Sequence, residues 1–308
     1  MKNILSFVKP YLRWVILGIT LFFIAKTFKD RWREVALIRI DTRGWLMLTI
    51  ALVITLLAHT FSGWVWTGIL RGFKQPVGRL WAIQVYLKTN IAKYLPGNVW
   101  HYYGRISAVT RVGGSVGVAT LSVLLEPLLM AAAALIIALV SNGLGWIVTG
   151  SDHRTLGLQI FALTMVLLGI HPRILNPVIQ RLNRSKGNIG KTEPVRIERY
   201  PLLPLLGEMG FLCLRGTGFL FTFLVLIPVE LNQIPQLLSA FSFAWLMGLI
   251  VPGAPGGLGV FEATAIALLD NHFSGGLILT VVALFRIVSI LAEVIAAGLA
   301  ILSEGNGE

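Results

Sequence analysis

Long apolar runs separated by short polar stretches dominate this chain, and their spacing predicts about eight helices of membrane type. Windows of about 19 residues place them near 11–28, 45–70, 115–141, 155–171, 205–229, 235–251, 257–270 and 277–302. Several of these runs exceed the ~20 residues that cross a hydrocarbon core. The segment 257–270 is short for a span, and 80–94 is short and interrupted by Lys88 and Lys93. Segments of that length more often re-enter, lie at an interface or are buried than span. No strand-period alternation of the β-barrel kind is visible. The fold class that follows is all-α: a polytopic transmembrane helix bundle with two Pro/Gly-broken or re-entrant segments and an internal, inverted repeat.

Two breaks interrupt the apolar pattern. The first reads Tyr94-Leu95-Pro96-Gly97-Asn98-Val99-Trp100 and leads through Gly113-Gly114 into an apolar segment carrying Glu126. The second reads Val251-Pro252-Gly253-Ala254-Pro255-Gly256-Gly257-Leu258-Gly259 and leads through Gly275-Gly276 into a segment carrying Arg286. Proline removes a donor and glycine tolerates unusual dihedrals, so both strings stop helices. Corresponding Gly/Pro-interrupted segments in two halves point to a midplane binding site in transporters. Non-helical backbone at that depth is tolerated where it is buried or lines a water-filled cavity. Amides at half-helix starts there can hold anions such as a lipid phosphate. Surface loops are the plain alternative.

Composition agrees with the pattern. The 308 residues are 56% hydrophobic and 13% charged, against roughly a quarter charged in soluble domains, and the mean hydropathy is +0.78. The net charge of +12 is read by position, because of the 26 Lys and Arg residues only Arg215 and Arg286 lie beyond Tyr200. With no basic recognition module there is no nucleic-acid footprint. Basic residues concentrate instead in loops, the mark of a cytoplasmic face. Lys2, Lys9 and Arg13 precede or open the first helix, Arg71, Lys74 and Arg79 follow the second, and Arg105 and Arg111 precede the third. The stretch His171–Tyr200 holds seven Lys and Arg against Glu193 and Glu198. These place the N-terminus, the central loop and the acidic tail Ser303–Glu308 in the cytoplasm of a bacterial-type inner membrane. Lys29, Arg31, Arg33, Arg39 and Arg43 resist that assignment, and their loop is read as lying on headgroups. The chain is one transmembrane domain, 1–308, with halves at about 1–170 and 200–303 joined by the basic loop 171–200. The first helix is retained rather than cleaved, and a lone Cys213 makes no disulfide framework.

Charges inside the apolar segments are the candidate chemistry. A carboxylate at bilayer depth costs roughly 2.5–3.5 kcal/mol on insertion scales, so Glu126 must face the bundle interior, a partner or water. A structural ion pair is its plain alternative. Glu208 and Arg215 are seven residues apart, as are Arg286 and Glu293. That spacing sets each pair on one face about 10 Å apart along the axis, so each member needs a partner elsewhere. Antiparallel contact would let Glu208 meet the helix of Arg286. Glu262 sits where a half-helix would begin after Gly259, and capping competes with a ligand role. Trp100 to Tyr103 beside Arg105 suit a headgroup interface. His59 and His101 lack a second ligand at metal spacing, so neither metal nor cofactor is expected. There is no H-E-x-x-H pair and no Walker A loop, no nucleophile elbow is assigned, and no Asp/Glu pair sits in a loop for acid–base work. The chain is therefore not read as an enzyme.

Three strings carry a family resemblance: Lys93-Tyr94-Leu95-Pro96-Gly97-Asn98-Val99-Trp100 with Gly104-Arg105, the stretch Ser122–Glu126, and Pro255-Gly256-Gly257-Leu258-Gly259-Val260-Phe261-Glu262. With them the chain resembles the lysylphosphatidylglycerol synthase/flippase transmembrane family. The resemblance covers nearly the whole chain and implies a region that moves aminoacylated phospholipid between leaflets, without the synthase domain. It implies functional importance for Arg105, Glu126, Glu262 and Arg286. The family often shows acid-then-arginine where this chain has Glu126-Pro127, and Arg286 is read as supplying that charge. The expectation is a lipid translocase with Arg105, Glu126, Glu208, Arg215, Glu262, Arg286 and Glu293 binding the substrate. The break residues Pro96, Gly97, Asn98, Pro252, Gly253, Pro255, Gly256, Gly257 and Gly259 bind phosphate or gate. Mixed charges suit a zwitterionic or phosphate headgroup. Membrane lipids are the expected partners. The alternative is a non-transporting scaffold that recruits a separate lipid-modifying or glycosyltransfer enzyme through 171–200.

Overall fold

The computed structural model describes residues 40–75, 77–94, 99–143, 153–184, 197–251 and 257–305. Among them the protein is all-helical, with ten α-helices and no strand. They are α1 (Thr42–Gly72), α2 (Arg79–Asn90), α3 (Trp100–Arg111), α4 (Val116–Gly143), α5 (His153–Gly169), α6 (Pro172–Arg184), α7 (Leu202–Leu224), α8 (Ile234–Ile250), α9 (Val260–Leu269) and α10 (Gly275–Gly305). Four stretches among the described residues are long and apolar enough to cross a membrane: Thr42–Gly72, Val116–Ser141, Leu231–Ile250 and Gly275–Glu304. The helix expected at 11–28 and the basic stretch at 29–39 lie outside the described residues.

Two helices were not expected. Trp100–Arg111 follows the first break directly, and Pro172–Arg184 occupies much of the stretch read as a loop. Neither is apolar throughout, so hydropathy windows miss both. The end of the central segment is tied back to α6: Asn176 Nδ2 donates to the Ile197 carbonyl at 3.1 Å, and Ile197 N–H donates to Asn176 Oδ1 at 2.8 Å. The following residue, Glu198, accepts from Lys74 Nζ at 2.5 Å. That bond holds its exposed carboxyl below the usual carboxylate range.

α1 and α7 make the most extensive helix–helix contact. Small residues permit the approach, as in membrane helix pairs generally: a Cβ at Gly207 would lie 2.6 Å from Val65 Cγ2. α4 packs on α7 and α8, and α10 packs on α1 and α2. Within the bundle Phe219 contacts Phe223, Phe241, Phe261 and Phe285, with ring centroids 5.2–6.0 Å apart.

The helices flanking each break form a hairpin, and the two hairpins enter from opposite ends of the bundle. α2 starts five residues beyond Lys74, and α3 returns to the same end, where Gly114 lies against Gln75. α7 begins at that end, beside the Lys74–Glu198 pair, and finishes at the other. There α9 finishes too, with the Phe273 ring tilted against Phe223 at 5.1 Å between centroids. At the turn of that second hairpin Gly248 and Gly257 lie back to back, and Gly257 has φ +72°. A Cβ on Gly257 would meet the Gly248 Cα at 3.1 Å, so the turn closes only on glycine. The C-terminal end of α10 docks on α2: Gln84 donates to Ser303 Oγ at 2.9 Å, and Lys88 pairs with Glu304.

Candidate functional site

A cavity of about 110 Å³ lies where the hairpin turns meet. Tyr94 borders it from the first break and Gly257 from the second. The break residues Pro96, Gly97, Asn98, Pro252, Gly253, Pro255 and Gly256 themselves lie outside the described residues. Around the cavity His59, Arg215 and Ser289 come from near the middles of α1, α7 and α10. At 1.5 Å per residue each is roughly 14 Å or more from either end of its helix, so the site sits at the mid-depth of the bundle.

Each half makes its own ion pair, buried in the first and partly buried in the second, with the signs exchanged. In the first, Arg105 on the hairpin helix α3 donates from Nη1 to Glu126 Oε2 on α4 at 2.5 Å. In the second, Glu262 on the hairpin helix α9 accepts from Arg286 Nε on α10 at 2.8 Å. Arg286 therefore does not supply the charge opposite Glu126; Arg105 does. Sequence distance hid this, since nothing in the pattern shows that α3 folds back along α4.

Glu126 is fixed on its other oxygen by the Tyr86 hydroxyl at 2.6 Å. Tyr86 gives its single hydrogen there, so Ser62 Oγ, 2.6 Å from the phenol oxygen, is the donor in that contact. The Arg105 guanidinium stacks 3.7 Å from the centre of the Tyr86 ring, a cation–π contact that suits arginine's flat, weakly hydrated head. Glu262 does both things weighed for it. Its Oε2 accepts from Gly259 N–H at 2.6 Å as the cap of α9, where Gly259 has φ +81°, and Oε1 holds Arg286. Arg286 also donates to the Gly257 carbonyl at 3.1 Å, which pins the second turn.

A third pair joins the first hairpin to α10. Lys93 Nζ donates to Glu293 Oε1 at 2.6 Å, and His59 Nε2 lies 3.2 Å from the same oxygen. Lys93 and His59 are site residues that the sequence reading passed over, one as an interruption and one as an isolated histidine. The available signal was the lysine itself, a cation in an apolar segment beside the first break. On α10 the residues Arg286, Ser289 and Glu293 follow at helical spacing and face the same centre.

Glu208 does not meet the helix of Arg286; Arg215, two turns further along α7, donates from Nη1 to Ser289 Oγ at 3.1 Å. Its guanidinium also faces Phe285 and Trp245, 4.8 and 5.2 Å from their ring centres. Glu208 is completely buried, and neither of its oxygens has a hydrogen-bond partner among the described residues.

The seven candidate binding residues thus separate by sign. Arg105, Arg215 and Arg286 line the cavity, joined by Lys93, whereas Glu126, Glu208, Glu262 and Glu293 are absent from its lining. A wall of both signs was expected; the bases form the surface and three of the acids stand behind it. Of the aromatic run after the first break, Trp100 and Tyr103 are exposed, while His101 and Tyr102 turn inward to the cavity. Gly113-Gly114-Ser115-Val116-Gly117 does spell the nucleophile-elbow string, but it joins two helices instead of following a strand, the context that motif requires. Ser115 Oγ accepts from Val118 N–H at 3.2 Å there, the role of a helix cap.

Compared with protein-family models and with curated proteins, the chain matches none. Fold and site define its class: an all-α protein that has, among the described residues, four helices long and apolar enough to cross a membrane, around a cationic cavity at mid-depth.

Proposed function

We propose that this protein is a lipid translocase of the flippase type, moving a phospholipid or lipid-linked substrate between the leaflets of a bacterial-type cytoplasmic membrane. The observation that carries the proposal is the ionic cavity at the meeting point of two hairpins that enter from opposite ends. A polar group at that depth is costly unless it faces the interior and serves a pathway, and here the charges of five helices and the first turn converge on one space. The cavity is far smaller than a diacyl lipid, which suits passage of a headgroup while acyl chains stay in the surrounding lipid. The family resemblance points the same way, and two of the residues it singles out, Arg105 and Arg286, are on the cavity wall. By the positive-inside tendency, the end bearing Lys74, Lys88 and Glu304 faces the cytoplasm, along with both termini. Lipids are the partners under this proposal, and the activity is transport without chemical change to the substrate.

The test is a leaflet-resolved assay in proteoliposomes containing labelled lipids with several headgroups. Translocation faster than in empty vesicles is expected for at least one headgroup, with loss of that excess in Arg105→Gln. Rates equal to empty vesicles across all headgroups would sink the translocase.

A further inference from the structure

We infer that the cavity is a subsite for an anionic phosphate group, with Arg215 as its principal counter-charge, and that it disfavours headgroups carrying an added cation. The inference rests on the translocase reading for its setting, but its evidence is the charge count at the wall. Among the described residues four cationic side chains line the space, Lys93, Arg105, Arg215 and Arg286, and no Asp or Glu does. Three of the four are matched from behind: Lys93 by Glu293, Arg105 by Glu126 and Arg286 by Glu262. Arg215 is not. It is 3% exposed, its hydrogen-bond partner among the described residues is the neutral Ser289 hydroxyl, and no carboxylate there lies within ion-pair distance. Glu208 lies on the same helix but touches no basic group at contact range among those residues.

A guanidinium stays ionised in any protein setting, and one buried without a counter-ion is strongly unfavourable. The donors around it tell the same story. Arg215 Nε and Trp245 Nε1 are buried donors with no acceptor among the described residues, and both residues line the cavity. Buried donors in native proteins find acceptors. Water satisfies hydrogen bonds but adds no negative charge to a Glu293 already shared among Lys93, His59 and Arg215; an acceptor-rich anion supplies both. A phosphate offers several oxygens to the four converging cations, and arginine's planar fork matches it in bidentate fashion. An aminoacylated headgroup, which the family resemblance implies, brings an additional ammonium towards a wall that is already cationic.

Binding to the purified full-length protein in a non-ionic detergent tests this directly. The probes are short-chain phosphatidic acid, phosphatidylcholine and lysylphosphatidylglycerol, together with inorganic phosphate. Phosphatidic acid is expected to bind about tenfold or more tightly than the zwitterionic and cationic lipids, the effect of one charge-assisted hydrogen bond. Arg215→Gln should remove that preference and Arg215→Lys should keep part of it. Inorganic phosphate binding as tightly as phosphatidic acid supports the subsite and assigns it to a free anion; much weaker binding supports it and assigns it to a lipid. Equal affinity for all three lipids overturns the inference, as does undiminished phosphatidic acid binding by a folded Arg215→Gln. Where that variant does not fold, Trp245→Phe keeps the ring and removes the Nε1 donor. A several-fold loss is expected there, and none overturns the assignment. Phosphate binding without translocation would leave the subsite standing and defeat the translocase. Translocation blind to headgroup charge would do the reverse.

Discussion

Neutralising either member of the Arg105–Glu126 pair leaves the other charge buried, at 1% and 3% exposure respectively. Breaking such a pair from one side costs about 3–5 kcal/mol, whereas removing both charges is often close to neutral. Arg105→Gln and Glu126→Gln are therefore expected each to lower thermal stability in detergent markedly, and the double variant to recover most of the loss. A double variant as unstable as the sum of the singles would show that the two charges do not act as a unit. Tyr86→Phe removes one donor from Glu126 Oε1 and should cost about 1–3 kcal/mol, read from the same melting curves. The presence of charges at 126 and 286 was legible in the sequence, because an ionisable residue in an apolar run stands out. Their partners were not, since the pairs span 21 and 24 positions and depend on how each hairpin folds back.

Helices α1 and α7 approach closely because glycine leaves room at their contact. Gly207→Ala pushes a methyl into Val65 and is expected to cost about 1–3 kcal/mol through overpacking. Gly157→Ala on α5, where nothing lies within 4 Å, should raise stability by about 0.5–1 kcal/mol through helix propensity alone. Thermal unfolding of both variants under one detergent condition checks the contrast, and equal losses would contradict the packing argument. The apolar helices were readable as elements, with ends near those expected: Thr42–Gly72 against 45–70, and Gly275–Gly305 against 277–302. α3 and α6 escaped, since a helix that mixes polar and apolar faces carries little mean hydropathy. The first buries Arg105 and His101, residues that read as loop chemistry when taken singly.

At the scale of the whole molecule, two hairpins entering from opposite ends bring distant residues to one centre and give the bundle two distinct faces. Those faces are testable by labelling. In a Cys213→Ala background, a single cysteine at Glu304 and another at Arg199 should react with an impermeant maleimide from the cytoplasmic side. One at the exposed Leu231 should react from the other side, and labelling of all three from one side would contradict the arrangement. The sequence by itself determined the all-helical class, most helix positions and the concentration of embedded charges near two breaks. Hydropathy and proline–glycine chemistry are local properties, so a linear reading captures them. Only the tertiary structure decided which charges pair, that basic residues form the cavity wall while acids stand behind it, and that Arg215 is left facing the space. Those outcomes depend on which helix faces touch across 21 to 200 positions, and electrostatic pairing at about 3 Å is set by that packing and not by spacing along the chain.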